Sequence, residues 1–476
     1  MNMGQRLVAG LAGCGLATIV GLTPAAAQTL DEVLSETYNT NPRLQSARAE
    51  LRAVDEQVSQ AYSRYRPSLA IEGSSSVSQT ETSGGQQDGS ATVQTNQIGL
   101  NLSQNLYEGG GTVARIEGAV RQVGQQRAVL QSVEQDVFLD AVTAYTDVVA
   151  SARVVELAIN NEERLDRQRE ATIDRFEVGE VTRTDVAQAE ARLAGAVSDR
   201  ISAEGQLAQA IAAFEAVVGF RPGELSTQLA TIQPPASLIE AQARAEKNPN
   251  LVASEFAVDV ALADVRVAQA ALLPSVDIAG SISYTDEPSD FIDNQTDARF
   301  AATITIPLYQ GGGEYSRVRQ NKQVVDQRRR DLEDARRRVS ELVTRAWEGL
   351  QTASAAARSF EEQARANRIA LEGVQTEAQV GARTVLDVLD AEQELFNAEV
   401  DLVDARANEI VALYTLQQAM GELTAEALGL EVETYDPSAH FQTVRTQSFG
   451  TTAGARTTVL QDIDFRREWG LRGEGN

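Results

Sequence analysis

The chain has 476 residues, a formal net charge of −26, 5% aromatic residues, one cysteine and one histidine. So strong an acidic excess excludes a nucleic-acid binder, whose affinity rests on Lys and Arg neutralising phosphates. A single thiol excludes a disulfide framework, and a composition rich in Ala, Gln, Glu, Arg and Val suits long helices better than a thick globular core.

Residues 1–27 read as a secretory signal peptide. Arg6 supplies the positive region, Leu7 to Leu22 the apolar core, and Ala25-Ala26-Ala27 the small-residue cleavage site. Leu11-Ala12-Gly13-Cys14 offers a competing lipoprotein processing site, but the apolar run continues past Cys14 to the Ala-x-Ala end. Cleavage after Ala27 leaves no cysteine and, with Arg6 gone, takes the net charge from −26 to −27. No later run of 18 apolar residues exists, so only a closed β-barrel would place the exported chain in a membrane.

Residues 28–219 form a first unit: a helix, a strand pair at 68–80 and 93–106, and a helical hairpin at 112–219. Leu69, Ile71 and Val77, then Ile98, Leu100, Leu102 and Leu106, recur with period two. A polar connection, 81–92, separates them. Pro67 falls where the helix becomes a strand, a position proline tolerates. Gly109, Gly110 and Gly111 then let the backbone swing from strand to helix; without a following Gly-Lys-Ser/Thr they are not a phosphate loop. From Thr112 to Phe176 there is no proline, which predicts about 65 residues of helix, roughly 95 Å long. Ile116, Val123, Leu130, Val137 and Ala144 keep the seven-residue spacing of a coiled coil. A turn at Val178-Gly179 precedes a returning helix of about 35 residues.

Residues 220–238, with Pro222, Pro234 and Pro235, link this unit to a second at 239–421. It repeats the order, with strands at 275–286 and 298–309 and a hairpin at 314–421. Val276, Ile278, Ile282 and Tyr284 alternate with polar residues; so do Phe300, Ala302, Ile304, Ile306 and Leu308. A polar connection at 287–297 joins the two strands. Gly311, Gly312 and Gly313 precede a second heptad series, Val318, Val325, Leu332, Val339 and Ala346, and the turn recurs at Val380-Gly381. Residues 422–476 form a polar C-terminal extension without periodicity.

The two units are a tandem duplication. Leu106-Tyr107-Glu108-Gly109-Gly110-Gly111 returns as Leu308-Tyr309-Gln310-Gly311-Gly312-Gly313, an offset of 202; Asn41-Pro42 and Pro67 return as Asn248-Pro249 and Pro274, an offset of 207. Period governs architecture. Strands of this length suit a bilayer crossing, although a water-soluble sandwich also buries one apolar face. Four strands cannot close a barrel; two copies give a filled eight-strand barrel, and three give twelve strands with a lumen.

Little points to catalysis. His440 lies in the irregular C-terminal part, no metal-ligand cluster or nucleophile motif appears, and no cofactor is implied. The arginine runs Arg328-Arg329-Arg330 and Arg336-Arg337-Arg338 are interleaved with acids, and Glu333–Arg337 and Asp334–Arg338 have helical ion-pair spacing. Asp387 and Asp390 share one helical face. In a three-fold assembly they form two stacked carboxylate rings able to select cations; otherwise they face solvent.

The signal peptide, the duplicated half, Leu-Tyr-x-Gly-Gly-Gly and the Val-Gly-x-x-Thr-x-x-Asp-Val turn together resemble the TolC family of outer-membrane efflux and secretion channels, over residues 29–421. The resemblance implies a mainly α fold with a transmembrane β-barrel portion. Three chains would form a twelve-strand barrel in the cell outer membrane, continued by a long periplasmic α-helical coiled-coil barrel. It implies a non-enzymatic exit duct of a tripartite export system, for type I protein secretion or small-molecule efflux, opened by iris-like movement of the hairpins. Its partners would be a periplasmic adaptor and an ABC or proton-driven inner-membrane transporter. Asp387 and Asp390 match the aspartates ringing the periplasmic entrance. Asp185, Thr184 and Arg383 match positions whose links hold it closed, while a tyrosine of that lock falls at Ala378. Val178, Gly179, Val380 and Gly381 match the tips where adaptors dock. The rival readings are a periplasmic adaptor or a structural coiled-coil scaffold of an envelope complex; neither accounts for two duplicated hairpins with bilayer-length strands.

Overall fold

A computed structural model describes residues 27–84, 89–227, 232–289 and 292–451. The signal segment before Ala27, including Cys14, and the extension beyond residue 451 lie outside them. The elements run α1 (Leu30–Thr40), α2 (Pro42–Ser63), β1 (Ser68–Thr82), β2 (Gly89–Glu108), α3 (Gly111–Glu177), α4 (Arg183–Val218), α5 (Leu238–Arg244), α6 (Pro249–Ala270), β3 (Ser275–Ser289), β4 (Ile292–Thr305), α7 (Gly313–Gln379), α8 (Val385–Met420) and α9 (Ala439–Val444). The architecture is mainly helical, two tandem repeats of long hairpins joined to one antiparallel sheet with strand order β1-β2-β3-β4.

The α3 and α7 helices have 67 residues each, about 100 Å at the usual rise. Their return helices α4 and α8 have 36 each. Length without kinks follows from uninterrupted heptads. Along α4 the buried positions Ala189, Ala196 and Ala203 are seven apart, small residues that let its axis lie close to α3. At the glycine runs, Gly110 (φ 82°) and Gly312 (φ 81°) cap α3 and α7 in the left-handed conformation. Gly109 is also constrained by space, because a Cβ there would sit 2.5 Å from the Ala270 carbonyl oxygen.

Asn41-Pro42 and Asn248-Pro249 build the same joint twice. Each proline occupies the first helical turn, where no N–H is needed. Asn41 Oδ1 accepts from the Arg43 and Leu44 amides, and its Nδ2 donates to the Val217 carbonyl at 2.8 Å. Asn248 caps α6 likewise and donates to the Ala419 carbonyl at 2.9 Å. One side chain thus starts a short helix and satisfies a carbonyl at the end of a return helix.

The apolar core sits at this level. Leu30, Leu34, Leu44 and Leu51 pack against Phe138, Val142 and Tyr145 of α3, with Phe214 of α4. Burial pushes the Tyr145 hydroxyl up to about 12, and it lies 2.6 Å from the Ser226 carbonyl oxygen. The extension is ordered where described. Tyr435 N–H donates to the Tyr38 hydroxyl at 2.9 Å, Ala425 N–H to Glu134 at 2.8 Å, and His440 Nδ1 lies 3.1 Å from the buried Asp55 carboxylate.

In the sheet, register places the large apolar residues other than Val93 on one face. Leu69 faces Leu102, Ile71 faces Leu100, and Gly73 faces Ile98; Leu100 faces Ile282 and Ile98 faces Tyr284; Gly280 faces Phe300 and Val276 faces Ile304. The opposite face carries Asn101, Ser281 and Arg299 in one row. A bulge at Leu106 shifts β2 against β3.

The strands depart from their sequence-based bounds at both ends. Residues read as connections belong to the strands: β1 reaches Thr82 and β2 starts at Gly89 in register, while β3 reaches Ser289 and β4 starts at Ile292 across a register shift after Asp286. Backbone pairing does not require apolar side chains, so the alternation marked only part of each strand. At the other end β4 stops at Thr305 rather than 309, just before Pro307, which has no amide to donate. On α7, Asp334–Arg338 pairs at 2.6 Å, but Glu333 pairs with Arg330 rather than Arg337.

Candidate channel entrance

The two hairpin tips are built alike. In the first, Gly179 N–H donates to the Phe176 carbonyl (3.0 Å) and Glu180 N–H to that of Arg175 (2.9 Å). In the second, Gly381 N–H donates to Ala378 (3.1 Å) and Ala382 N–H to Glu377 (2.9 Å). Both glycines have positive φ, 82° and 77°. Reversing a helix over so few residues requires that conformation, which explains Val-Gly at both tips. Val178 and Val380 stand out from the turns, 72% and 79% exposed.

Each return helix starts with a reciprocal cap. Asp185 N–H donates to the Thr182 hydroxyl, while Asp185 Oδ2 accepts from the Thr182 amide and hydroxyl, both at 2.8 Å. Thr384 and Asp387 repeat this, with the carboxylate 2.9 Å from the Thr384 amide and 2.8 Å from its hydroxyl. Those backbone and hydroxyl donors hold both carboxyls below the ordinary aspartate range, so both are ionised at neutral pH. The caps fix Asp185 and Asp387 in equivalent places at the two hairpin tips. Thr184 lies exposed in the first turn of α4.

Within one chain, Asp185 and Arg383 are not paired. Arg383 Nε donates to Glu377 Oε2 at 2.8 Å across its own turn, and that carboxylate raises its already high pKa. Asp390 is engaged by Arg192 of α4, whose Nη2 lies 2.6 Å from Oδ1. Two residues on along α8, Glu392 is 4% exposed and takes Arg164 Nε at 2.8 Å and Gln375 Nε2 at 3.0 Å. Sequence reasoning missed Thr182, Arg192, Arg164 and Glu392. The Thr-x-x-Asp spacing signals the cap at Thr182; nothing local signals pairs 198 and 228 residues apart.

At the other end of the molecule, the apolar sheet face is bare. Ile71 is 75% exposed and Phe300 72%, with Leu69, Ile98, Ile282 and Ile304 also exposed. No helix among the described residues is long and apolar enough to cross a membrane, and no described group of His, Cys, Asp and Glu is arranged to hold a metal.

The family model for "Outer membrane efflux protein" matches residues 33–219 and 241–422, the two structural repeats. The chain belongs to this family. It is 34% identical to the outer membrane efflux protein BepC of Brucella suis over 436 residues, 91% of this chain and 94% of that one. It is 26% identical to the outer membrane protein TolC of Vibrio cholerae over 412 residues, covering 84% and 92%. A crystal structure of CusC shares the fold, with a TM-score of 0.73 at 21% identity, over 83% of this chain and 92% of that one. The protein is thus a TolC-family outer-membrane channel protein, engaged in transport rather than enzymatic chemistry. The hairpins extend from one end of the bare apolar sheet.

Proposed function

We propose that three copies of this chain assemble into the exit duct of a tripartite export system. Their four-stranded sheets close a twelve-strand barrel in the outer membrane, and their hairpins continue it as a periplasmic tunnel. The observation that carries this reading is the sheet itself. It has two unpaired edges, β1 and β4, and one continuous exposed apolar face. Unpaired backbone cannot face lipid, so the edges require closure by further copies. Twelve strands leave a lumen where eight would be filled by side chains.

An inner-membrane transporter, ABC-type or proton-driven, supplies the energy through a periplasmic adaptor. The adaptor docks on the tips around Val178-Gly179 and Val380-Gly381, where exposed valines offer an apolar contact. The glycine runs 109–111 and 311–313 are the hinges at which strand direction passes into helix direction. Asp387 and Asp390, three times each, ring the entrance. Asp185 and Thr184 face Arg383 of the neighbouring copy and hold the seam between chains, and the entrance opens as the hairpins move outward like an iris.

The test is the mass and conductance of the detergent-purified full chain. A heat-sensitive trimer with defined single-channel conductance in planar bilayers is expected; a soluble monomer without conductance refutes the duct. Asp185→Ala with Arg383→Ala should raise conductance, and Asp387→Ala with Asp390→Ala should weaken block by multivalent cations. Unchanged conductance or unchanged block removes the corresponding role.

A further inference from the structure

Among the described residues, two ion pairs cross from the first hairpin (α3, α4) to the second (α7, α8): Arg192–Asp390 and Arg164–Glu392. Every other ion pair of these four helices stays within its own hairpin or runs to α2, α6 or the end of β2. The two rungs differ in setting. Arg192–Asp390 is open to solvent, and such pairs hold little. Arg164–Glu392 lies between two apolar layers: Leu165, Ala189 and Leu389 on the tip side, Leu157, Ala203 and Phe396 on the other. Both Glu392 oxygens are taken, Oε2 by Arg164 and Oε1 by Gln375 of α7.

We propose that Arg164 and Glu392 form a latch tying the two hairpins of one chain together in the closed duct, with Arg192–Asp390 as its weaker outer rung. This rests on the channel reading above. Moving α8 away from α3 parts a pair whose carboxylate, 6% exposed, then stands uncompensated between apolar layers, beside an arginine that is 26% exposed. That penalty far exceeds the loss of an exposed pair. The duplication gives the latch a direction. At the 202-residue offset, Arg164 corresponds to Ala366 and Asp390 to Gln188. Neither rung has a counterpart in which the second hairpin reaches onward to a first hairpin. The latch therefore acts inside each chain, three times per duct, and seams between chains need other contacts.

The test uses full-length trimers in planar bilayers. Arg164→Met with Glu392→Gln removes both charges and so avoids stranding the buried carboxylate. It should raise open probability at least ~10-fold while the detergent-purified protein remains trimeric. Arg192→Gln with Asp390→Asn should raise it by less than ~3-fold. The swap Arg164→Glu with Glu392→Arg should return open probability towards the wild-type value, which a merely structural role would not produce. The latch is overturned if the neutral double variant conducts like wild type, or if the swap stays as open as the neutral variant. Wild-type protein without conductance overturns the channel reading and the latch with it.

Discussion

Alanine at Gly109, compared with alanine at Gly110, isolates the cost of crowding at the strand-to-helix joint. Both glycines have positive φ, 56° and 82°, which costs a residue with a Cβ about 1–2 kcal/mol. They differ in space. A Cβ at 109 would lie 2.5 Å from the Ala270 carbonyl oxygen and 2.7 Å from Leu273 Cβ, whereas at 110 nothing lies within 4 Å. Ala270 ends α6 and precedes β3, so its carbonyl cannot retreat without displacing the second repeat's joint. Overpacking of this kind costs about 1–3 kcal/mol more. Gly109→Ala is expected to destabilise by roughly 2–5 kcal/mol and Gly110→Ala by roughly 1–2 kcal/mol. Because assembled membrane proteins commonly unfold irreversibly, the comparison is of unfolding rates of purified protein in detergent at one temperature. Equal rates would refute the crowding. Gly311 extends the comparison to assembly. Its φ is 67° and nothing lies within 4 Å of its Cβ position inside the chain. In the proposed trimer, the 207-residue offset would put Ser63 and Arg66 of the next copy where Ala270 and Leu273 stand for Gly109. Gly311→Ala should therefore be as damaging as Gly109→Ala in the trimer; full tolerance there would refute that packing.

Ile71→Arg puts a charge on the bare apolar face and should cost about 2–4 kcal/mol of insertion near the bilayer midplane. Ala70→Arg, on the opposite face, should insert normally; equal folding yields in lipid vesicles would show that the face does not meet lipid. Asn41→Ala removes a cap and a buried donor to the Val217 carbonyl, an expected loss of about 1–3 kcal/mol, read as a fall in thermal midpoint. Burial raises the Asp55 carboxyl above its ordinary value against the opposing pull of His440 and Arg127. A raised folded-state pKa gives stability that is present below about 3.8 and is lost as pH rises through the folded value. Asp55→Asn should thus flatten that acid dependence, with hydrogen exchange over residues 439–447 as the readout; an unchanged pH profile contradicts it. Asp387 has the opposite sign. Its depressed pKa contributes stability above the unfolded value that is lost as pH falls through the folded one, so Thr384→Ala should weaken protection of the first turn of α8 at neutral pH more than in acid.

The periodic parts of this protein were legible because their physics is local. Heptads from Ile116 and Val318 specify α3 and α7 to within a residue or two, since a helix without proline or caps has nothing to stop it. The apolar alternation located the sheet but understated it, because Glu81, Gly89 and Ser90 pair through backbone alone. Asn41-Pro42 was visible as a repeat, yet its second role, the bond to Val217, joins residues 176 apart. At the second hairpin tip, the spacing of Asp387 and Asp390 shows them as a pair on one face. It does not show their different fates: one is held by its own helix cap, the other by an arginine from the other hairpin. Local spacing predicts the first and carries no information about the second.

The differences between the repeats point in one direction. Leu106 and Tyr107 are about half exposed, while their counterparts Leu308 and Tyr309 are 90% and 81% exposed. Gly109 is pressed against α6, while Gly311 faces open space. Strand β2 has neighbours on both sides, while β4 has one. In each case the first repeat is covered by the second, and the same surface of the second repeat is bare. A chain whose halves pack side by side and leave the equivalent face unfilled is built for a further copy to fill it, by a rotation rather than a two-fold flip. Such a heterologous contact must close into a ring or grow into a fibre. Closure is favoured by the sheet, whose barrel permits only a small set of strand numbers at a given tilt and shear. In the proposed assembly the strand edges therefore set the copy number, and the helices repeat it.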